Sequence, residues 1–221
     1  MAVKTTRLPL KLKDLLHNNN LVFHDGDDGA YVILSTGVKV IIRPEYQREF
    51  IYDSARQKAV IDTINAKCPL GTVFFGLCDD GEYEMIDGQQ RTLSILHFIN
   101  GDFSVELNGE TTYYHNFTEE QKEEFLNYAE LSVYLCEGTD KEKLTWFRRI
   151  NLVGMELNDM ELTNAVYHGP FISSARKFFS KRDCRAIRVA SIDGRPLVSG
   201  TPIRQDILKT ALTWWADSME A

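Results

Sequence analysis

The chain of 221 residues has no apolar run that approaches the roughly 20 residues needed to span a bilayer. Its first seven residues include basic side chains but have no apolar stretch behind them, which argues against a secretory signal. Internal repeats of solenoid length and low-complexity tracts are also missing. We therefore expect a cytoplasmic protein with no membrane partner.

The cysteines are few and lie far apart in the sequence. Cys68, Cys78, Cys136 and Cys184 form no Cys-x-x-Cys pair, and no histidine cluster accompanies them. This pattern argues against a zinc site and favours reduced thiols.

Acidic residues outnumber basic ones, so the formal net charge is −7. Proteins that hold nucleic acid through its phosphates are usually basic, so the chain is a poor candidate for a general DNA-binding surface. A small basic pocket for one nucleotide is still compatible with this charge. A hydrophobic content of 43% indicates a globular chain with a sizeable core.

Strand and helix patterns interleave in the first part of the sequence, which predicts an α+β fold. Residues 8–16 form an opening strand or a short helix. Strands are predicted over residues 31–34, 38–42, 72–77, 82–86 and 131–136. Helices are predicted over 54–66 and 88–99, and others begin near Thr118, Asp140, Asn158, Pro170 and Arg204. The second half is mainly helical, and we place the domain boundary after residue 137.

Candidate capping residues define three of these helix starts. Ser54 with Gln57, and Thr118 with Gln121, have the spacing of capping boxes. Asp87 is placed to cap the next helix, with Gln90 at its third position. Ser191–Arg195 is predicted to be a hairpin turn.

The most informative segment runs from Asp87 to Thr92, where a strand turns directly into a helix. Gly88 allows close approach of a ligand, and the unpaired amides at the helix start favour an anion. Side-chain donors for phosphate are supplied by Gln89, Gln90 and Arg91, and a hydroxyl by Thr92. A carboxylate at Asp87 would sit beside phosphate if a divalent cation such as Mg²⁺ lay between them. The alternative is that Asp87 is a helix cap alone.

A second candidate segment is the polar loop from Arg43 to Arg48, between a strand and a helix. Tyr46 could stack on a base, and Arg48 could meet a phosphate. The alternative is a solvated loop.

Three blocks of sequence together resemble one protein family. They are Pro44–Arg48, Ile86–Thr92, and Phe147–Asn151 continued by Gly154, Leu157, Asn158, Glu161 and Leu162. Their order and spacing are similar to those of the N-terminal domain of GmrSD-type, modification-dependent restriction enzymes. The Asp-Gly-Gln-Gln-Arg block is the most specific mark, and the resemblance covers roughly residues 8 to 217.

The resemblance implies a fold similar to the ParB/sulfiredoxin type, with a small mixed sheet and helices in residues 1–137 and a helical extension in 138–221. It implies that this domain binds and hydrolyses nucleoside triphosphates with a divalent metal, in an anti-phage system. A C-terminal or separate HNH-type nuclease domain would cut modified DNA, so DNA would be met only through the full system. The chain itself contains no such nuclease motif.

Carried over residue by residue, the resemblance assigns the essential motif to Asp87, Gly88, Gln89, Gln90 and Arg91. Tyr46, Gln47 and Arg48 would line the same pocket, and Asn151, which matches a frequent family position, is assigned to nucleotide binding with them.

From this assignment follows a mechanism of metal-assisted attack of water on the terminal phosphate. Asp87 would hold Mg²⁺ or orient the water, Gln90 would belong to the catalytic group, and Arg91 and Arg48 would neutralise phosphate charge. Two alternatives are open: a module that senses nucleotide without hydrolysis, and a nuclease that cuts DNA at the same site.

The final predicted helix ends in an adjacent aromatic pair, Trp214 and Trp215, on an apolar stripe wider than a surface helix usually needs. We predict that one of them packs against a second copy, which would make a homo-oligomer, or against a partner subunit or further residues. The alternative is that both belong to the core.

Overall fold

A computed structural model describes the chain in several stretches. These are residues 3–26, 29–43, 52–107, 109–128, 130–139, 142–143, 170–179, 191–192, 195–196 and 206–220. They fall into two compact units, Met1–Pro44 with Phe50–Lys143, and Glu45–Glu49 with Leu144–Ala221. The predicted boundary after residue 137, with a nucleotide-binding core before it, stays a prediction. Of the helix predicted to begin at Asp140, only residues 142–143 are described, and they are helical, whereas the helix predicted to begin at Asn158 lies outside the described residues.

The first unit contains nine strands and three α-helices among its described residues. The strands are β1 (Lys4–Lys11), β2 (Phe23–Gly26), β3 (Gly29–Ile33), β4 (Lys39–Arg43), β5 (Thr72–Leu77), β6 (Tyr83–Asp87), β7 (Val105–Leu107), β8 (Glu110–Thr112) and β9 (Glu130–Glu137). The helices are α1 (Ser54–Asn65), α2 (Gln89–Asn100) and α3 (Glu119–Tyr128). Short 3-10 turns cover Leu12–Leu15 and Tyr114–Asn116.

Seven of the strands form one sheet in the order β1-β9-β5-β6-β4-β3-β2. Only the β5–β9 and β4–β6 neighbours are parallel among these pairs, and the rest are antiparallel. A mixed sheet of this kind, with helices packed against it, is the predicted α+β fold. The predicted strands at 31–34, 38–42, 72–77, 82–86 and 131–136 correspond to β3, β4, β5, β6 and β9 within a few residues.

Strand β2 was not predicted. Aspartate and glycine are common in turns, yet Asp25 and Gly26 pair with Ala30 and Gly29 of β3. A tertiary contact accounts for this strand, since the Asp25 carboxylate accepts a hydrogen bond from Arg43 on β4. That contact stabilises an extended conformation that the local sequence does not favour.

The start of α1 differs from the predicted capping box. Asp53, not Ser54, is the N-cap, and its carboxylate accepts a hydrogen bond from the Arg56 amide at 2.9 Å. Gln57 instead donates to the Tyr52 carbonyl at 2.9 Å. The Thr118–Gln121 capping box of α3 is confirmed in both directions, at 2.8 and 3.2 Å.

The core of the first unit lies between the sheet and the pair α1 and α2. Alternate residues of the central strands are buried, as the period of two requires: Val32, Val40, Ile42, Val73, Phe75, Met85, Leu131 and Val133. One face of α1 packs into this core, since Val60, Ile61 and Ile64 are buried.

Helix α2 is the most deeply buried helix among those described. Six of its residues from Thr92 to Phe98 are buried, and Gly101 ends it in a left-handed conformation. Deep packing on most sides fixes this helix, and with it the segment at its N-terminal end.

The second unit includes α4 (Pro170–Phe179), α5 (Asp206–Glu220) and the short antiparallel pair β10 (Ser191–Ile192) and β11 (Arg195–Pro196). Proline at the first position of α4 is confirmed, and the antiparallel pairing of β10 with β11 agrees with the predicted hairpin. Trp214 and Trp215 are 61% and 54% exposed, and the Trp215 ring lies 5.4 Å from that of Phe171. Their packing against a second copy, a partner or further residues stays a prediction.

None of the helices in the described stretches combines the length and apolar character that crossing a membrane requires.

Candidate functional site

The candidate site begins at the end of β6, where the ladder with β5 is irregular. Phe74 pairs with Asp87 and Phe75 with Met85, so Ile86 is an extra residue in β6. Bulges of this kind redirect the side chains that follow them. Here the bulge immediately precedes Asp87, whose side chain is 40% exposed.

Gly88 makes the turn between β6 and α2. Its φ of +101° is a conformation that residues with a side chain rarely adopt. A Cβ added here would lie 2.8 and 2.9 Å from the two Val73 methyl carbons. The glycine is therefore required twice, by the backbone turn and by the close approach of β5.

The N-terminal end of α2 differs from the predicted cap. Gly88 is the N-cap, without a side-chain capping bond, and Gln89 is the first helical residue. Asp87 belongs to β6, because the bulge extends the strand by one residue, and Gln90 is the second helical residue. The interpretation of Asp87 as the cap of this helix is therefore wrong.

Without a capping side chain, the first amides of α2 are directed toward the turn at the positive end of the helix dipole. Such an end favours an anionic ligand. The arrangement also places the Asp87 carboxylate one residue before the cap, beside this anion-accepting end.

Arg91 makes the most specific contacts of the site. Its Nη1 donates to the Leu70 carbonyl, and its Nη2 donates to the Thr72 carbonyl at 2.7 Å. The same Nη2 lies 3.6 Å from Asp87 Oδ2. The guanidinium thus joins the entry of β5 to the end of β6, with a quarter of the side chain exposed.

Gln90 connects the site to the segment before α1. Its Oε1 accepts a hydrogen bond from the Tyr52 amide at 3.1 Å. Tyr52 lies two residues before the first residue of α1, so Gln90 fixes the backbone that leads into this helix. Its contact places Gln90 as an organising residue of the site.

Thr92 is 2% exposed, and its hydroxyl is buried without a hydrogen-bond partner among the described residues. In this structure Thr92 is part of the packed face of α2 and is not open at the helix end. Its role toward a phosphate or a metal-bound water stays a prediction.

The structure thus brings together Asp87, Gly88, Gln90 and Arg91 of the predicted site, with Gln89 at the first helical position. Tyr46, Gln47, Arg48 and Asn151 lie outside the described residues, so their predicted place in the same pocket stays a prediction.

Part of the site was missed by sequence reasoning. The carbonyls of Leu70 and Thr72, which hold Arg91, lie on either side of Gly71. A Cβ on Gly71, with φ +79°, would lie 2.7 Å from Arg91 Nη1. In the sequence, the position of Gly71 directly before the predicted strand over 72–77 was the available indication of this close approach.

A divalent cation would find one ligand in this site. No group of three His, Cys, Asp or Glu side chains suited to a metal occurs in the described part of the chain. Mg²⁺ is commonly bound through one or two carboxylates together with substrate phosphates, and it prefers oxygen ligands. The partly exposed Asp87 carboxylate beside an anion-accepting helix end fits that donor set.

A groove of about 460 Å³ lies elsewhere in the first unit, between the end of α1, β7 and α3. Of the residues described, none from Asp87 to Thr92 lines it. The groove is therefore separate from the candidate site.

Fold and site together define an α+β domain with an anion-accepting strand-to-helix turn that bears a carboxylate and a braced arginine. The family model of the GmrSD restriction endonuclease N-terminal domain matches residues 30–168, more than half of the chain. The chain therefore belongs to the GmrSD N-terminal domain family, as the sequence resemblance predicted. Neither the curated proteins nor the solved structures gave a match.

Proposed function

We propose that this restriction-system domain binds a nucleoside triphosphate at the Asp87–Arg91 turn and hydrolyses it with a divalent cation. Membership of the GmrSD family makes it a domain of a restriction system, in keeping with anti-phage defence. One observation carries the nucleotide proposal: the N-terminal end of α2 has no capping side chain and is flanked by Asp87 and Arg91. The ParB/sulfiredoxin type of fold belongs to the same proposal.

In this proposal the phosphates lie at the first turn of α2. The amides of Gln89 and Gln90 donate to them, and Gly88 leaves room for close approach. Arg91 contributes the N–H groups that the Leu70 and Thr72 carbonyls do not use, since a guanidinium has five. Tyr46, Gln47, Arg48 and Asn151 stay predicted nucleotide-binding residues in the same proposal.

Asp87 is the residue that would hold Mg²⁺ or orient the attacking water. When bound, the cation neutralises phosphate charge and polarises the phosphoryl group. Arg91 Nη2 lies 3.6 Å from Asp87 Oδ2, so the two groups form a partly exposed ion pair at this position. Gln90, held by the Tyr52 amide, keeps the helix start in place.

A combined binding and turnover experiment tests the proposal. Calorimetry measures the binding of several nucleoside triphosphates, and colorimetric phosphate release measures turnover, with Mg²⁺ and with a chelator. We expect binding, and release that requires the cation. Binding without release would favour a sensing module, and the absence of both would overturn the proposal.

Replacing Asp87 with asparagine should remove metal-dependent phosphate release while leaving the fold intact. The folded state loses little, because Asp87 is not the cap of α2 and its contact with Arg91 is a partly exposed ion pair at 3.6 Å. Activity per folded molecule and Tm are measured side by side.

Asp79→Asn is the matched control, since Asp79 is exposed in the turn at the opposite end of β6 and should retain full activity. A lowered Tm with normal activity in Asp87→Asn would show that Asp87 is structural.

DNA enters this proposal through a nuclease domain, fused or separate, that works with the nucleotide domain. The rival in which the chain cuts DNA itself is tested by plasmid nicking. Nicking by the purified chain that disappears in Asp87→Ala would replace nucleotide hydrolysis with DNA cleavage as the proposed activity.

A further inference from the structure

His97, on the same helix as the motif, lies between two carboxylates. Its Nδ1 is 2.5 Å from Asp102 Oδ2, and its Nε2 is 3.0 Å from Asp25 Oδ2. The histidine side chain is 17% exposed, and the Phe23 ring meets it edge-on at 5.2 Å. A hydrogen bond at each ring nitrogen fixes the orientation of this side chain.

The geometry specifies the protonation state of the ring. Carboxylate oxygens accept hydrogen bonds, so both ring nitrogens must donate, and only the imidazolium form has two N–H groups. The other oxygen of each carboxylate is also occupied. Asp25 Oδ1 accepts from Arg43 Nη2 at 2.5 Å, and Asp102 Oδ1 accepts from Asn100 Nδ2 at 2.8 Å.

The titration of these groups follows from the same contacts. Burial lowers the pKa of His97, but the hydrogen bonds and charges of Asp25 and Asp102 outweigh it and raise this pKa above its ordinary value. Burial raises the pKa of Asp25, but His97 and Arg43 outweigh it and lower this pKa. The described charges that face His97, directly or through Asp25, are therefore Asp25, Asp102 and Arg43.

The cluster connects three elements that the chain brings together from distant positions. His97 belongs to α2, Asp25 to β2, and Arg43 to the last position of β4. Arg43 is 7% exposed and also donates to the Gly26 carbonyl at 2.6 Å. A neutral His97 would lose one of the two donors that hold this assembly.

We propose that His97 is a positioning residue for the motif on α2, and that its protonated ring fixes this helix against β2 and β4. The proposal deepens the proposed function, since α2 begins with the Gln89–Arg91 turn. Arg43 directly precedes in the chain the residues Pro44–Arg48. Protonation of His97, in the last turn of α2, thus adds to the packing that holds this helix and its phosphate-binding end.

The direction of the pH effect follows from the raised pKa of His97. The stabilisation from the cluster is fully present below the ordinary histidine pKa of about 6.5 and is lost as the pH rises through the folded-state value. Asp25 limits the stability at the acidic end of the pH range, because its contribution is lost as the pH falls through its lowered pKa. The helix is therefore held best in mildly acidic to neutral solution.

His97→Gln tests the proposal, since glutamine is a neutral donor that does not titrate. Hydrogen exchange of the segment 87–97 is followed from about pH 6 to about pH 9, corrected for intrinsic exchange rates. We expect wild-type exchange to accelerate about tenfold over this range, with faster but pH-independent exchange in His97→Gln. Equal pH dependence in both proteins would overturn the proposal.

Two further measurements complete the test. The ring resonances of His97 should titrate above about pH 6.5, and in Asp25→Asn the midpoint should fall. A wild-type midpoint at or below the ordinary value would also overturn the proposal. His115→Gln, at an exposed histidine that stacks on Tyr113, is the control and should behave as wild type.

Nucleotide affinity, measured over the same pH range, separates this proposal from the proposed function. Wild-type affinity should weaken about tenfold as His97 deprotonates, and that of His97→Gln should be flat. An exchange effect without any nucleotide binding supports the positioning role and overturns the nucleotide function. If His97→Gln instead binds nucleotide with the same affinity as wild type at every pH, the positioning role is overturned.

Discussion

Replacing Gly88 with alanine should lower the free energy of unfolding by about 2–5 kcal/mol and abolish nucleotide binding. Two effects add in this estimate. A φ of +101° strains any residue that has a Cβ, and the new methyl would lie 2.8 and 2.9 Å from the Val73 methyl carbons. Relief of this clash requires the turn to move away from β5, which displaces the first amides of α2.

Urea unfolding of a matched set of variants separates the two effects. Gly81 has a similar φ of +84°, but nothing lies within 4 Å of an added Cβ, so Gly81→Ala reports backbone strain alone. In a Val73→Ala background the two closest contacts are absent and only the Val73 Cβ, at 3.2 Å, is left, so Gly88→Ala should cost less there than in the wild type. Equal losses in Gly81→Ala and Gly88→Ala would contradict the role of Val73.

The strand-to-helix turn could be located from sequence because its features are local. Alternating apolar residues predict β5 and β6, and Gly88 precedes a helical pattern that ends at Gly101. The prediction that Asp87 caps α2 was wrong because the Asp-x-x-Gln spacing takes no account of the bulge at Ile86. Register across two strands decides whether Asp87 ends a strand or caps a helix.

Contacts between distant residues could not be predicted in the same way. Arg91 meets carbonyls 21 and 19 positions earlier in the chain, and His97 meets Asp25 across 72 positions. Each of these contacts requires the sheet order to be known, with β5 beside β6 and β2 at the edge. The same order explains why β2 was missed, since Asp25 is extended by Arg43 of β4.

For the Asp87–Arg91 motif, the sequence predicts which hydrogen-bond donors and acceptors are present but not which groups they contact. The sequence places Arg91 near the helix start, but not its bonds to Leu70 and Thr72. Those bonds alter the expectation for Arg91, because a side chain predicted to contact ligand alone also braces the protein. The bracing role affects the stability of the protein and the ligand-binding role affects nucleotide affinity, so substitution of Arg91 tests both.

Replacing Arg91 with alanine should therefore reduce both stability and nucleotide affinity. A hydrogen bond to a charged group contributes about 1.5–3 kcal/mol, and two carbonyls lose such a donor. Loss of one phosphate contact should weaken nucleotide binding by a comparable amount. Arg91→Lys should restore little, since one ammonium lacks the planar fork that reaches Leu70, Thr72 and Asp87 together.

Two controls show whether position or charge of Arg91 matters. Gly71→Ala keeps the guanidinium but places a Cβ 2.7 Å from Nη1, so it should reproduce much of the affinity loss of Arg91→Ala. Arg7→Ala removes an exposed pair with Glu130 and should change stability by at most about 1 kcal/mol. Calorimetry and urea unfolding measure both quantities. Unchanged stability in Arg91→Ala would remove the bracing role, and unchanged affinity would show that Arg91 does not contact the nucleotide.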